Sequence, residues 1–265
     1  MGPAMRPIAR FGQLLFAVAI LEFGVENFVC AHLGLGVRGV PWFPVNPWLG
    51  YAIGIAFLLA GLCIAANLGA RFSEMLLGIF FLLLAVFRTI PGAVAQPLDL
   101  SIRTVVFETI SLGSAALMLS GIVPAAPSFS AGWKNVADVL IKTSPCLFAI
   151  SLIVFGITHF LVAQFIATLI PAWIPAPLFL AYFTGAALVA AGISVAVNWM
   201  ARWATTLLGA MFLFWFLFLH LPRIMSPPRS HDPDEWSSAF IALGMCGGSW
   251  ICARYLEKVQ DRYAK

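Results

Sequence analysis

Eight stretches of about twenty mostly apolar residues run through this chain, at 11–32, 48–68, 73–90, 103–121, 145–168, 178–199, 203–221 and 236–253. A bilayer core of about 30 Å takes about 20 residues of helix to cross. Backbone in lipid must satisfy its own hydrogen bonds, and no barrel-like alternation is visible, so each stretch is predicted to be a transmembrane helix. Composition closes off the alternatives. Only 10% of the 265 residues are charged and the mean hydropathy is +0.97, against about 25% charged residues in a soluble domain. Such a chain cannot cover a water-facing surface, which excludes a cytosolic enzyme, a secreted domain and a disordered protein. The fifteen basic residues, in a formal net charge of +4, are scattered. They form no phosphate-binding stripe, so nucleic acid is not an expected partner. The expected fold is an all-α polytopic membrane protein whose first partner is the lipid bilayer.

The eight spans fall into two similar halves. Shifting residues 51–91 by 131 positions gives 16 identities in 41, among them Tyr51/Tyr182, Gly54/Gly185, Gly61/Gly192, Asn67/Asn198, Arg71/Arg202, Gly78/Gly209, Phe87/Phe218 and Pro91/Pro222. A shift of 132 matches Leu15-Phe16-Ala17 with Leu147-Phe148-Ala149 and Phe23-Gly24 with Phe155-Gly156. Apolar composition inflates chance matches of Leu and Ala, but not of Arg, Asn, Tyr and Pro. The expected organisation is a four-helix unit at 11–121, a linker at 122–144, a second four-helix unit at 145–253 and a tail at 254–265, with the two bundles packed side by side. Four spans per half is an even number, so the repeat is parallel rather than inverted. Ten basic residues fall on the side of the termini and five on the other. The expected location is therefore the cell membrane, multi-pass, with both termini cytoplasmic. In the linker, Phe129, Trp133, Val136 and Leu140 recur at helical spacing opposite Lys134, Asp138 and Lys142. This suits either a short amphipathic helix on the membrane surface or a solvated linker helix.

Five cysteines, Cys30, Cys63, Cys146, Cys246 and Cys252, form no C-x-x-C pair and lie in or beside apolar segments. They read as small hydrophobes, which argues against thiol–disulfide exchange. Arg6 and Arg10 before an apolar run imitate a signal peptide, with Val29-Cys30-Ala31 as a mock cleavage site. The matching segment later in the chain speaks for a resident span instead. Arg6 also stands where myristoylation after Gly2 would want Ser or Thr.

Ionisable groups inside a span are costly and mark a pairing or functional site. Glu22 and Glu26 lie one turn apart on the first span and share a face. Arg88 ends the third span and Glu108 begins the fourth. His159 and His220 occupy the positions of Asn27 and Thr89 in the second half. By the orientation above, all but Glu22, which lies near mid-depth, fall in the outer leaflet. Two readings stay open: buried pairs that lock helices together, or a site for a proton or polar ligand. The outer loops Pro41-Trp42-Phe43-Pro44 and Pro171-Ala172-Trp173-Ile174-Pro175 correspond. They read as interfacial caps, or as lids over sites between the helices, which makes Trp173 a candidate contact. His231, Asp232, Asp234 and Glu235 read as a solvated loop with acids at a helix start, and no metal site is expected. Gly244, Gly247 and Gly248 read as close helix packing. No nucleotide, nucleophile or zinc-protease motif is present, and no catalytic residue is assigned.

Gly156-Ile157-Thr158-His159-Phe160, then Phe165, then Ile170-Pro171-Ala172-Trp173-Ile174-Pro175-Ala176-Pro177, with Gly185, Gly192 and Arg202-Trp203-Ala204, resemble the DoxX-like family of four-helix membrane proteins. The resemblance covers roughly 145–225. The first half shares it through the repeat, with Gly24-Val25-Glu26-Asn27-Phe28 in place of the histidine version. Ala187 stands where an acid is common in the family, and His220-Leu221-Pro222-Arg223 ends the third helix. The resemblance implies a fused tandem copy of a unit that usually stands alone. Relatives are linked to membrane redox processes, including a thiosulfate:quinone oxidoreductase subunit. Three functions are therefore expectations. The first is a redox-associated membrane subunit that binds a quinone or other amphipathic small molecule near His159 and His220, beside a redox partner protein. The second is a small-solute carrier with Glu22 and Glu26 in proton coupling. The third is an assembly protein without a ligand. A bis-histidine haem is not expected, because no haem signal beyond the two histidines is visible.

Overall fold

The computed structural model describes residues 5–32, 47–68, 70–123, 131–227 and 233–263. The described residues are 90% helical, with no strand among them. Helix α1 covers Met5–His32, α2 Pro47–Ala66 and α3 Ala70–Leu84. A π-turn at Ala85–Thr89 (π1) leads into α4, Ile90–Ala95, and α5 covers Leu100–Ile122. Then come α6 (Ala131–Leu161), α7 (Ala163–Leu169), α8 (Pro177–Ala196) and α9 (Ala201–Trp215). A second π-turn, π2 (Phe216–His220), precedes α10 (Leu221–Ile224), and α11 covers Pro233–Tyr263. Among the described residues, eight helical stretches are long and apolar enough to cross a bilayer. They match the eight expected spans, so the chain is an all-α, multi-pass protein by length and composition.

The same local devices recur at positions that the 131-residue shift of the sequence pairs. Helices α2 and α8 end at Asn67 and Asn198, whose φ values of 55° and 53° are left-handed. The Leu68 N–H donates to Cys63 O and the Trp199 N–H to Ser194 O, both at 3.0 Å. Asn tolerates this conformation better than other side-chain-bearing residues, so the pair Asn67/Asn198 marks two equivalent helix ends. The π-turns correspond in the same register and immediately precede the matched Pro91 and Pro222.

The halves do not simply lie side by side. Helix α1 packs along α2 and along α11, while α6 packs along α8 and along α5. Thus the first helix of each half lies against the fourth helix of the other. Helices α3 and α9 pack on α5 and α11 of their own half, and α5 meets α11 in the middle. The two central helices have 67% and 89% of their apolar windows inside the protein, against 22–44% for the other six. Close approach makes the exchange feasible. A Cβ on Gly247 of α11 would come within 2.5 Å of the Gly12 carbonyl oxygen of α1. Phe16 and Phe148, paired by the repeat, are both fully buried, as are Met118 and Ile251 of the central pair.

Residues 131–144 differ from the expectation of a separate linker helix: they are the first turns of α6, which runs on through Pro145 without a break. Proline removes the N–H that Ile141 O would accept. That oxygen instead accepts from Ser144 Oγ at 2.7 Å and from Tyr255 OH at 3.1 Å. The fifth span also ends earlier than the expected residue 168, because the helix breaks at Val162 and restarts as α7. Phe129 lies outside the described residues, as do the loop holding Trp42, and His231 and Asp232.

At the end of the bundle that holds the start of α1 and the finish of α11, basic residues close helix ends. Arg10 donates to Ala65 O at 2.7 Å, and Lys258 to Gly121 O and Ile122 O at 2.8 Å. Cations suit the negative ends of α2 and α5. At the opposite end Arg223 makes a two-pronged hydrogen-bonded ion pair with Glu235, tying α10 to the first turn of α11. Asp99 caps α5 by accepting from Ser101 N at 2.8 Å and Ile102 N at 3.3 Å.

Candidate functional site

The π-turns prepare the site. A proline lacks the N–H of a regular turn and crowds the carbonyl four residues back. Ahead of Pro91 and Pro222 the ladder widens, with Ile90 N–H donating to Ala85 O and Leu221 N–H to Phe216 O. Such single wide turns often occur at functional positions, because they re-aim the side chains they carry. The first carries Arg88 and the second His220, and each lines a cavity.

The larger cavity, about 320 Å³, lies among α6, α8, π2 and α11, with α5 contributing Thr104 and Glu108. Most of its wall is apolar, including Phe155, Leu188, Phe212 and Met245. Ile166, Leu169 and Ile170 of α7 and the following turn also line it. Its wall also carries polar side chains. His159 Nδ1 lies 2.8 Å from Phe155 O. A carbonyl only accepts, so Nδ1 carries the proton and Nε2 is the ring's acceptor. Thr184 Oγ1, Trp215 Nε1 and His220 Nδ1 are buried and have no hydrogen-bond partner within the protein. An unmet buried polar atom costs about 1–3 kcal/mol. All three residues line the larger cavity. The volume is at the small end of the roughly 300–1,000 Å³ range for ligand pockets.

The smaller cavity, about 170 Å³, is lined by Glu26 and Asn27 of α1, Arg88 of π1, Glu108 and Thr109 of α5, and Ser237 of α11. Ser237 Oγ donates to the Glu26 carboxylate. Arg88 lies in the field of Glu26, and its Nε is buried without a hydrogen-bond partner. Glu108 and Ile241 belong to the walls of both cavities.

The seven candidates therefore divide. Glu26, Arg88 and Glu108 gather on the smaller cavity, and Glu108, His159 and His220 on the larger. Trp173 lines neither. It is 65% exposed, with its ring edge-on to Phe218 at 6.0 Å. Glu22 also lines neither, though its Oε2 is buried without a hydrogen-bond partner. Thr184, Trp215 and Ser237 escape a reading of the sequence, since a threonine, a tryptophan or a serine in an apolar helix carries no distinguishing signal. Glu74 does carry one: it is an acid inside a span, and it is fully buried on α3. Among the described residues no cluster of His, Cys, Asp and Glu has the make-up of a metal site. No family model, curated protein or solved structure matches this chain.

Proposed function

We propose that this chain is a DoxX-like integral membrane protein made of two fused four-helix units, and that its second unit binds a quinone or another amphipathic small molecule with a ring and a carbonyl group. The observation that carries the reading is the larger cavity itself. Thr184, Trp215 and His220, each with a buried polar atom that has no hydrogen-bond partner, line a mostly apolar space together with His159. A quinone's carbonyl oxygens accept hydrogen bonds from groups such as Trp215 Nε1 and Thr184 Oγ1, and the apolar wall suits its ring. The Gly156 to Pro177 motif and the local devices shared by the two halves support the family reading and the fusion. The excess of basic residues at the end bearing the termini supports a cytoplasmic placement of that end, so that both cavities open to the outer leaflet. In a membrane redox assembly the chain would act as the quinone-binding subunit beside a redox partner protein.

The test uses the intact protein in native-lipid nanodiscs, titrated with decylubiquinone while Trp fluorescence is followed. Binding is expected to quench the signal. The variant carrying His159→Ala and His220→Ala is expected to raise Kd at least about tenfold, a loss of about 1.4 kcal/mol. Equal affinity in both proteins overturns the reading. A second reading, a proton-coupled carrier, has one observation in its favour: Glu22 Oε2 is buried without a hydrogen-bond partner one turn from Glu26. It predicts proton-dependent solute uptake into proteoliposomes that Glu22→Gln abolishes.

A further inference from the structure

Glu108 is placed differently from every other acid among the described residues, because its side chain forms part of the wall of both cavities. The two spaces differ in kind. The smaller, at about 170 Å³, is below the size of a ligand pocket. It has room for about five waters at ~30 Å³ each, and its wall offers Glu26, Asn27, Arg88 and Ser237 as partners for them. The larger has the apolar body and polar side chains of a binding pocket. A carboxyl between a wet chamber and a binding pocket can exchange its proton with one and present it to the other.

We propose that Glu108 is the proton-exchange group of the larger site: its carboxylate takes a proton from water in the smaller cavity and donates it in a hydrogen bond to a carbonyl oxygen of the compound in the larger one. The inference rests on the reading of the larger cavity as a binding site. One O–H bond forms on Glu108, one breaks in the chamber's water, and solution replaces that proton; no electron moves. The groups that line the two cavities with Glu108 fit the role. Helix α1 presents Glu26, π1 presents Arg88, α6 presents His159 and π2 presents His220. Helix α11 presents the hydroxyls of Ser237 and Ser238, while its Glu235 is held by Arg223. The part of α3 beside the smaller cavity presents apolar Phe81 and Leu84, and α4 carries no titratable residue. Arg88 supplies the positive charge that balances Glu26, so one more proton on Glu108 leaves the chamber near neutrality.

The experiment measures decylubiquinone binding to the nanodisc protein from about pH 5 to about pH 9, by calorimetry in buffers of different ionisation heat. The wild type is expected to take up as much as one proton per molecule bound. Above the pKa of free Glu108 its affinity should fall about tenfold per pH unit. Glu108→Gln keeps a hydrogen-bond donor in place, so binding should persist with no proton uptake and a flat pH profile. An infrared difference spectrum of the wild type, which needs no variant, should gain a protonated-carboxyl band when decylubiquinone is added. Proton uptake that survives in Glu108→Gln, or moves with His159 or His220 variants instead, overturns the proposal and leaves the binding site standing. Absence of binding at every pH overturns both.

Discussion

Glu74 is fully buried on α3, and neither of its carboxyl oxygens has a hydrogen-bond partner. Its counterpart in the second half, Thr205, satisfies itself by donating to Ala201 O at 2.8 Å. The acid therefore carries a cost that the threonine does not. Glu74→Met, close in size, is expected to raise stability by about 1–3 kcal/mol, read as a higher thermal midpoint in detergent. An unchanged or lower midpoint would show that Glu74 holds a partner the fold depends on. At this scale the sequence is legible where charge makes a residue conspicuous. Glu26, Arg88 and Glu108 announce themselves because lipid tolerates none of them alone, and they do share one cavity. Trp215 and Thr184 stay silent, because their importance lies in a missing hydrogen bond rather than in their chemistry.

Between residue and fold stand the π-turns and caps. Pro222 imposes the wide turn that aims His220, so Pro222→Ala restores a regular ladder and rotates the ring. The expected result is an unchanged helical circular dichroism signal with decylubiquinone binding weakened about tenfold, measured in the same titration. At the start of α5, the Ser101 hydroxyl and then the Ile102 N–H hold the exposed Asp99 carboxyl below the usual carboxylate range. A depressed folded-state pKa means that the cap stabilises α5 above the ordinary Asp value of about 3.9 and is lost as pH falls through the lower folded value. Asp99→Asn should therefore lower the thermal midpoint at neutral pH and close the gap to the wild type in strong acid. Hydropathy alone places six of the eight spans to within about five residues, while the fifth starts well before the expected position and the eighth runs well past it. It misses the π-turns because one extra residue in a turn leaves the apolar pattern intact. It splits α6 at Pro145 because the replacement donor, Tyr255, lies far along the chain on the last helix.

For the whole molecule, the exchange of partners between halves makes neither half self-sufficient. Helix α1 needs α11, and α6 needs α5, to bury their faces. Residues 1–123 expressed alone are expected to be degraded or to aggregate, whereas co-expression with 131–265 should yield a complex that co-purifies through a tag on either piece. A stable, monodisperse first half would contradict the interlock. The number of the helices is readable from the sequence because each crossing costs about twenty apolar residues. Their neighbours are not, since lipid-facing and helix-facing surfaces are equally apolar and only small residues such as Gly12 and Gly247 hint at contact.

The hydrogen bond from Tyr255 to the Ile141 carbonyl has a consequence for how the protein comes into being. The ribosome makes α11 after the other seven crossings, yet α11 carries the hydroxyl that meets Ile141 O, the hydroxyl that meets Glu26 and the faces against which α1 and α9 rest. Until it arrives, the earlier spans sit in the bilayer with polar groups unmet, in need of the insertion machinery or an escort. Biogenesis of this protein is thus weighted toward the arrival of α11, and damage to that helix should be felt by helices inserted long before it.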